Sequence, residues 1–117
     1  MTRVISVRVG EQECRFALEY ERTPKSKRQY TLLQSRMESE RSIAHLLYLA
    51  PNYDLLLFLV RRFENCRRPV YFGLWEDFLT HTLDLTIRSN RSPVSTTLRA
   101  VLAIKPTGPS AKTFPVA

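Results

Sequence analysis

Residues 14–28 read Cys-Arg-Phe-Ala-Leu-Glu-Tyr-Glu-Arg-Thr-Pro-Lys-Ser-Lys-Arg, and this stretch decides the predicted fold. Its first half alternates apolar and charged side chains, which is the period of a β-strand. Thr23 and Pro24 then predict a helix start, because threonine caps free amide groups and proline is tolerated at the first helical position. Since successive side chains alternate across a strand, Glu19 and Glu21 are expected on one face.

The segment before this stretch extends the strand into a hairpin. Residues 3–9 show the same alternation of apolar and polar side chains. The short polar segment 10–13 contains a glycine that can adopt a positive φ, so it can close a turn. We therefore expect residues 3–9 and 14–21 to pair as antiparallel strands.

The segment after this stretch alternates helices and strands. The first predicted helix carries an apolar stripe at Tyr30, Leu33 and Met37, with Leu32 beside it, at steps of three and four residues. The later elements are predicted as strand, helix, strand and helix at residues 43–49, 52 or 54 to about 64, 70–73 and 74–82. This order, ββαβαβα, predicts an α/β fold with a mixed sheet, because strands separated by helices form parallel crossovers.

The basic residues are concentrated toward the C-terminus. The 117-residue chain contains 18 Lys and Arg against 11 Asp and Glu, a net charge of +7, which favours a polyanionic partner. All acidic residues lie between Glu11 and Asp84, and the last 33 residues carry five basic residues and no acid. We therefore expect an α/β domain over residues 1–84 and a basic extension over 85–117 whose proline-containing end is mobile. Whether residues 85–104 pack on the sheet stays open.

Composition excludes several protein classes. The longest uninterrupted apolar run has six residues, at 55–60, whereas a membrane span needs about 20. Only three glycines are present and no two are close, which excludes a glycine-rich phosphate loop. Neither histidine has a partner at zinc-like spacing, and the two cysteines lie in unrelated contexts. A cytoplasmic protein with reduced thiols is expected.

Glu19, Glu21 and Lys25 are the candidate chemical groups. Two carboxylates on one strand face, about 6 to 7 Å apart by strand rise, can bind a hard cation such as Mg²⁺. A nearby lysine can then stabilise charge that develops on a phosphate. The alternative is that both carboxylates line a solvated face and pair with Lys25 or Arg22.

The text FALEYERTPKSKRQY at 16–30, together with LYLAPNY at 47–53, resembles the C-terminal part of plasmid replication-relaxation proteins. That region is similar to the PD-(D/E)XK restriction-endonuclease core, and the resemblance covers roughly residues 3–80. It implies that Glu19 occupies the acidic position of the nuclease motif. Active nucleases of this type also carry an aspartate on the preceding strand and a lysine two residues after the acid. Here residues 3–9 contain no acid and Glu21 stands at the lysine position, although Lys25 or Lys27 can substitute.

The resemblance implies a DNA-binding accessory protein of plasmid or mobile-element replication or mobilisation, with a degenerate nuclease-like core. In this interpretation the protein is not an enzyme and needs no cofactor. Cations close to the acidic strand and in the basic extension would contact phosphates. The predicted DNA-contacting residues are Arg22, Lys25, Lys27, Arg28, Arg88 and Arg91.

Two alternatives remain open. The first is a Mg²⁺-dependent DNA nuclease or nickase that uses Glu19, Glu21 and Lys25, with a further ligand such as Glu13 or Glu40. The second is a protein-interaction or inhibitor module, with a homodimer through the sheet edge as its simplest form. Its candidate surface residues are Tyr53, Phe63, Tyr71, Phe72 and Trp75. The choice between DNA and RNA, any sequence preference, and whether the chain is a piece of a longer protein also stay open.

Overall fold

The computed structural model describes residues 2–40 and 42–103. Strands β1 (Thr2–Val9) and β2 (Gln12–Tyr20) form the predicted antiparallel hairpin. Gly10 closes the turn with a φ of +62°, a conformation that glycine adopts without steric cost. The alternating pattern of residues 3–21 therefore produces the pair of strands from which the rest of the sheet extends.

The remaining elements build one six-stranded sheet. In chain order they are α1 (Lys27–Ser39), β3 (Leu46–Ala50), α2 (Tyr53–Arg62), β4 (Tyr71–Leu74), α3 (Trp75–His81), β5 (Thr86–Ser89), β6 (Thr96–Thr97) and α4 (Leu98–Leu102). The strands lie in the order β1-β2-β3-β4-β5-β6. β2, β3 and β4 are mutually parallel, whereas β1, β5 and β6 pair antiparallel with their neighbours. The predicted α/β class with a mixed sheet is confirmed.

Helices α1 and α2 cover one face of the sheet. The apolar stripe of α1 is buried as predicted at Tyr30, Leu33 and Met37, while Leu32 is 60% exposed. These side chains pack with α2 and with strand residues such as Tyr48 and Phe72 in one apolar layer. We call the face that α1 and α2 cover the helix-covered face. Every second residue of β2, including Ala17 and Glu19, is directed toward it.

The segment after residue 84 completes the opposite face. Leu85, Ile87, Leu98 and Leu102 are buried there together with residues of β2 and β3. Residues 85–103 thus pack on the sheet, which answers the question left open by their weak sequence pattern. The predicted mobile end falls on residues 104–117, which lie outside the described part of the chain.

Two boundaries differ from the prediction. Ser26, not Thr23, caps α1, and it forms a capping box in which its side chain accepts from the Gln29 amide while Gln29 accepts from the Ser26 amide. Strand β3 begins at Leu46, and in the segment before it the carbonyl oxygens of Ile43 and Ala44 accept hydrogen bonds from the Arg68 guanidinium. Side-chain hydrogen bonds thus fix the start of α1 and hold the segment just before β3. Among the described residues, no helix is both long and apolar enough to cross a membrane.

Candidate nucleic-acid interface

Glu21 lies at the C-terminal end of β2 and is fully buried. Its amide donates to the carbonyl oxygen of Leu49 at 2.9 Å, which continues the parallel pairing of β2 with β3. The side chain is directed beneath α1, where a carboxylate loses its contact with water. Such a group is stable only if it is paired and hydrogen-bonded.

Three donors satisfy the Glu21 carboxylate. Oε1 accepts from Lys25 Nζ and, at 2.7 Å, from the Tyr48 hydroxyl. Oε2 accepts from the Tyr30 hydroxyl at 2.6 Å. Tyr30 Oη in turn accepts from the Lys25 amide at 3.0 Å, so the loop, α1 and β3 converge on one carboxylate. We call these four residues the carboxylate node.

The carboxylate node keeps Glu21 ionised at neutral pH. Burial raises the pKa of Glu21, but the hydrogen bonds from Lys25, Tyr30 and Tyr48 outweigh it and hold the pKa below the ordinary value of 4.5. Burial and the neighbouring carboxylate raise the pKa of Tyr30 to about 12 and also raise that of Tyr48. Both hydroxyls therefore stay protonated and act as donors to a charged acceptor.

Glu19 lies two residues before Glu21 on the same strand face and is 2% exposed. It lines a cleft of about 410 Å³ between α1 and the sheet, together with Arg36, Met37 and Glu40. A smaller hollow of about 210 Å³ shares Glu19 and Arg36 and extends to Lys25. The cleft is therefore the place where a ligand can approach the Glu19 side of the carboxylate pair.

The structure brings the three predicted catalytic residues together, but it contradicts the alternative that the two carboxylates line a solvated face. Glu19, Glu21 and Lys25 lie at one end of the sheet, and Glu40 borders the same cleft. Glu13 instead pairs with Arg8 at 3.3 Å in the hairpin, about 20 Å from Glu19 by strand rise. The expectation of a solvated carboxylate face is wrong because α1 covers it, whereas the expected pairing of a carboxylate with Lys25 is present.

The carboxylate node is a poor cation ligand as it stands. Both oxygens of Glu21 already accept hydrogen bonds, and a Mg²⁺ ion at Oε1 would have to replace the Lys25 ammonium. Within residues 2–40 and 42–103, no three His, Cys, Asp or Glu side chains are grouped so that they could hold a metal ion. The two cysteines are free thiols, Cys14 half-buried and Cys66 buried.

Three predicted DNA-contacting cations surround the N-terminus of α1. Arg22, Lys27 and Arg28 are exposed, and the first turn of α1 contains no acidic residue. Lys25 lies among them, but its ammonium is used by Glu21. We call Arg22, Lys27 and Arg28 the α1 cations. The partial positive charge of a helix N-terminus adds to their potential.

The other two predicted DNA-contacting residues lie at the opposite end of the sheet. Arg88 pairs with Phe72 in the β4–β5 ladder, and the next residues along the chain adjoin Val70, just before β4 begins. Arg91 is exposed, and its guanidinium donates to the carbonyl oxygen of Arg67. Because β2, β3 and β4 run parallel, this is the end at which those strands start, whereas Arg22 follows the end of β2. The structure thus separates the six predicted residues into two groups.

Two buried polar side chains escaped the sequence reasoning. Arg68, 9% exposed, donates to carbonyl oxygens at the end of α1 and in the following loop, among them that of Met37 at 2.9 Å. Asn90, 6% exposed, accepts from the Val70 amide at 2.9 Å. Neither residue carries a local sequence signal of burial.

The hydroxyl roles of Tyr30 and Tyr48 were missed as well, although both residues were placed in the core. The Tyr48 ring packs against Phe63 and Phe72 in the helix-side layer while its hydroxyl reaches Glu21. A buried tyrosine usually finds a hydrogen-bond partner, and that rule was the available signal. It does not tell which carboxylate the partner is.

The aromatic residues considered for a partner surface have different environments. Phe63 and Phe72 are buried in the helix-side core layer. Tyr71 and Trp75 are half-buried, and Trp75 packs against Tyr20 at a ring distance of 4.8 Å. Tyr53 is 61% exposed. Only Tyr53 of this set therefore presents most of its side chain to solvent.

Comparison of the chain with protein-family models, with curated proteins and with solved structures gave no match.

Proposed function

We propose that this protein holds DNA through the α1 cations and serves plasmid or mobile-element replication or mobilisation without cutting the DNA. The observation that carries the proposal is the exposure of Arg22, Lys27 and Arg28 around a helix N-terminus whose first turn has no acidic residue. Phosphate oxygens bind such positions through charge and through free backbone amides. The proposal needs no cofactor, and it places the protein in the cytoplasm.

The arrangement of elements supports a restriction-endonuclease-like core under this proposal. An acidic strand, β2, ends a hairpin, and α1 crosses from it to the parallel neighbour β3. Glu19 and Glu21 lie at the end of this strand, where the resemblance to replication-relaxation proteins expects the nuclease site. We regard the core as degenerate for two reasons. Lys25 and two tyrosines already donate hydrogen bonds to the Glu21 carboxylate, and β1 supplies no acidic residue.

The first experiment is a gel assay of the protein with supercoiled plasmid over a salt series, with and without Mg²⁺ or Mn²⁺. We expect a mobility shift that weakens with salt and no nicked or linear product. Each phosphate contact makes the slope of log affinity against log salt more negative by about 0.9 for duplex DNA. Absence of any shift at low salt would refute DNA binding.

A pair of double variants locates the contact. Lys27→Ala with Arg28→Ala removes two α1 cations, whereas Arg3→Ala with Arg15→Ala removes two exposed cations from the hairpin. We expect the first variant to make the slope of log affinity against log salt less negative by about 2. It should also lower the affinity at least tenfold. The hairpin variant, matched in charge, should change the affinity much less. Equal losses in both variants would mean that net charge, not the α1 cations, drives binding.

A metal-dependent nuclease or nickase is the second candidate, because Glu19 and Glu21 share a strand face and Glu19 lines an open cleft. Mg²⁺ would be its cofactor and Lys25 its charge-stabilising group. The same plasmid assay with Glu19→Gln separates the two functions. Metal-dependent cleavage that disappears in this variant would replace our proposal, and cleavage that persists would come from a contaminant.

A protein partner or a homodimer through the sheet edge remains compatible with DNA holding. Within the described residues β1 pairs on one side only, with β2, and Val4 on this strand is 50% exposed. An edge strand can pair with another chain, although charged residues such as Arg3 and Arg8 oppose this. Light scattering coupled to size exclusion measures the oligomeric state. A mass near 13.6 kDa would exclude the homodimer.

A further inference from the structure

A second basic surface lies at the end of the sheet away from α1's N-terminus. Arg61 lies near the end of α2, Arg67 is in the loop before β4, Arg88 is in β5, and Arg91 follows β5. Arg61, Arg67 and Arg91 are exposed, and Arg88 is half-buried. We call these four residues the arginine cluster. Two of them, Arg61 and Arg67, were not among the predicted DNA contacts.

A buried asparagine holds the three segments that carry these arginines. Asn90 Oδ1 accepts from the Val70 amide at 2.9 Å. Asn90 Nδ2 donates to the carbonyl oxygen of Phe63 at 2.7 Å and to that of Arg68 at 3.4 Å. The backbone amide of Asn90 donates to the Val70 carbonyl oxygen at 3.0 Å. We call this arrangement the amide node. It fixes the end of α2, the following loop and the end of β5 relative to one another.

The amide node gives the arginine cluster a defined geometry. The Arg91 guanidinium donates to the carbonyl oxygen of Arg67, so these two residues are in direct contact. Glu38 accepts from the Arg67 amide at 2.7 Å, and Glu64 is the other acidic side chain in these segments. Residues 61–68 and 88–91 together contain six arginines and one acidic residue, Glu64. Guanidinium groups bind phosphate oxygens in a planar two-point geometry that an ammonium group cannot provide.

The two basic surfaces lie at opposite ends of the sheet. Strand β3, with five residues between the two ends, spans about 16 Å. A single phosphate group bound at the α1 cations is therefore too far from the arginine cluster to contact it directly.

We propose that the arginine cluster is a second binding site for the phosphate backbone of duplex DNA, so that one protein molecule bridges two DNA segments. This inference rests on the proposed function, because it takes the α1 cations as the first site. The role fits the placement of the α1 cations and the arginine cluster at opposite ends of the sheet, each group next to its own buried polar side chain.

The test is capture of a free labelled duplex by a second duplex fixed on beads, with the full chain added. Three charge-reversal pairs are compared: Arg61→Glu with Arg67→Glu, Lys27→Glu with Arg28→Glu, and Arg3→Glu with Arg15→Glu as the matched control. All six side chains are exposed, and thermal unfolding of each variant checks that it folds. Binding to a single short duplex is measured in parallel by fluorescence anisotropy.

We expect the unmodified protein and the hairpin control to capture the free duplex. Reversal at Arg61 and Arg67 should lower capture at least tenfold while single-duplex affinity falls about threefold or less, since the α1 site still supplies its phosphate contacts. Reversal at Lys27 and Arg28 should lower both readouts.

Four results would overturn the inference. Unchanged capture after reversal at Arg61 and Arg67 would mean that a dimer bridges through two copies of the α1 site. Equal, large losses of single-duplex affinity in both reversed pairs would indicate one continuous footprint. Single-duplex binding without capture would refute bridging and leave the proposed function intact, whereas the absence of single-duplex binding would refute both.

Discussion

At each end of the sheet one buried polar side chain joins several segments of the chain, but the two side chains differ in chemistry. At one end Glu21, a charged group, joins β2, α1 and β3 through Lys25, Tyr30 and Tyr48. At the other end Asn90, a neutral group, joins α2, the following loop and β5 through backbone atoms. Exposed cations lie near each of these two buried side chains. The stabilising effect of the carboxylate node therefore depends on the protonation state of Glu21 and on a counter-cation, whereas that of the amide node depends on neither.

The energetic reason lies in the cost of burial. An amide carries its own donors and acceptors, so backbone partners satisfy it without any charge. A carboxylate loses a large hydration energy, which its hydrogen bonds and ion pair must replace. Disturbing the carboxylate node should therefore have the larger effect on stability.

The largest effect is expected for Glu21→Ala. The variant leaves two buried hydroxyl groups and the Lys25 ammonium without their acceptor. Each buried hydroxyl left without its acceptor costs about 1 to 3 kcal/mol, and loss of the partly exposed Lys25 ion pair adds to this. Urea unfolding measures the loss, and Glu11→Ala in the exposed hairpin turn is the control, expected within about 0.5 kcal/mol of the unmodified protein. A loss below about 1 kcal/mol would show that the node does not stabilise the fold.

Asn90→Ala should have the next largest effect. The buried Val70 amide loses its side-chain acceptor, whereas the Phe63 carbonyl still accepts from the Cys66 amide at 3.0 Å. One unsatisfied buried group costs about 1 to 3 kcal/mol. Asn65→Ala, an exposed asparagine in the same loop, is the matched control. Equal stability of the two variants would mean that the amide node does not hold these segments together.

Acid titration separates the two ends directly. The folded-state pKa of Glu21 lies below the ordinary 4.5, so its stabilising contribution is complete above about pH 4.5 and is lost as the pH falls through the folded value. We expect the free energy of unfolding to decrease less steeply below that pH in Glu21→Gln than in the unmodified protein. Asn90→Ala should keep the full acid slope, because Asn90 does not titrate. Identical slopes in the unmodified protein and Glu21→Gln would contradict the assigned pKa direction.

The smallest effect is expected for Ser26→Ala at the start of α1. Loss of the capping box should cost about 1 kcal/mol. Ser35→Ala in the exposed middle of α1 should instead be neutral or slightly stabilising, since alanine has the higher helix propensity. Because Ser26 orients the turn that carries Lys27 and Arg28, the cap variant should also weaken DNA binding slightly. Equal stability of the two serine variants would contradict the assigned cap.

Local patterns predicted most of the first 82 residues. Strand alternation located β1 and β2, and the stripe of Tyr30, Leu33 and Met37 gave the buried face of α1. The segment after residue 84 gave no clear pattern because its elements are too short, with two residues in β6 and five in α4. A helical or strand period needs several turns or residues to be visible.

The candidate site was predicted in part. The sequence placed Glu19 and Glu21 on one strand face and Lys25 near them, because alternation and chain proximity are local. It did not predict that both carboxylates are buried, since burial depends on how α1 lies over β2. It also grouped Arg88 and Arg91 with the α1 cations, because a linear sequence does not show which sheet end a residue occupies.

By itself, then, the sequence determined the hairpin, the α/β class, the net charge of +7 and the shared face of the two glutamates. Only the tertiary structure decided that Tyr48, 27 residues away, satisfies Glu21, and that Asn90 joins segments starting 27 residues before it. It also decided that the α1 cations and the arginine cluster lie at opposite ends of the sheet. The physical reason is that alternation and charge are properties of neighbouring residues. Hydrogen-bond partners and surfaces, in contrast, depend on the register of strands that meet only after the chain has crossed over.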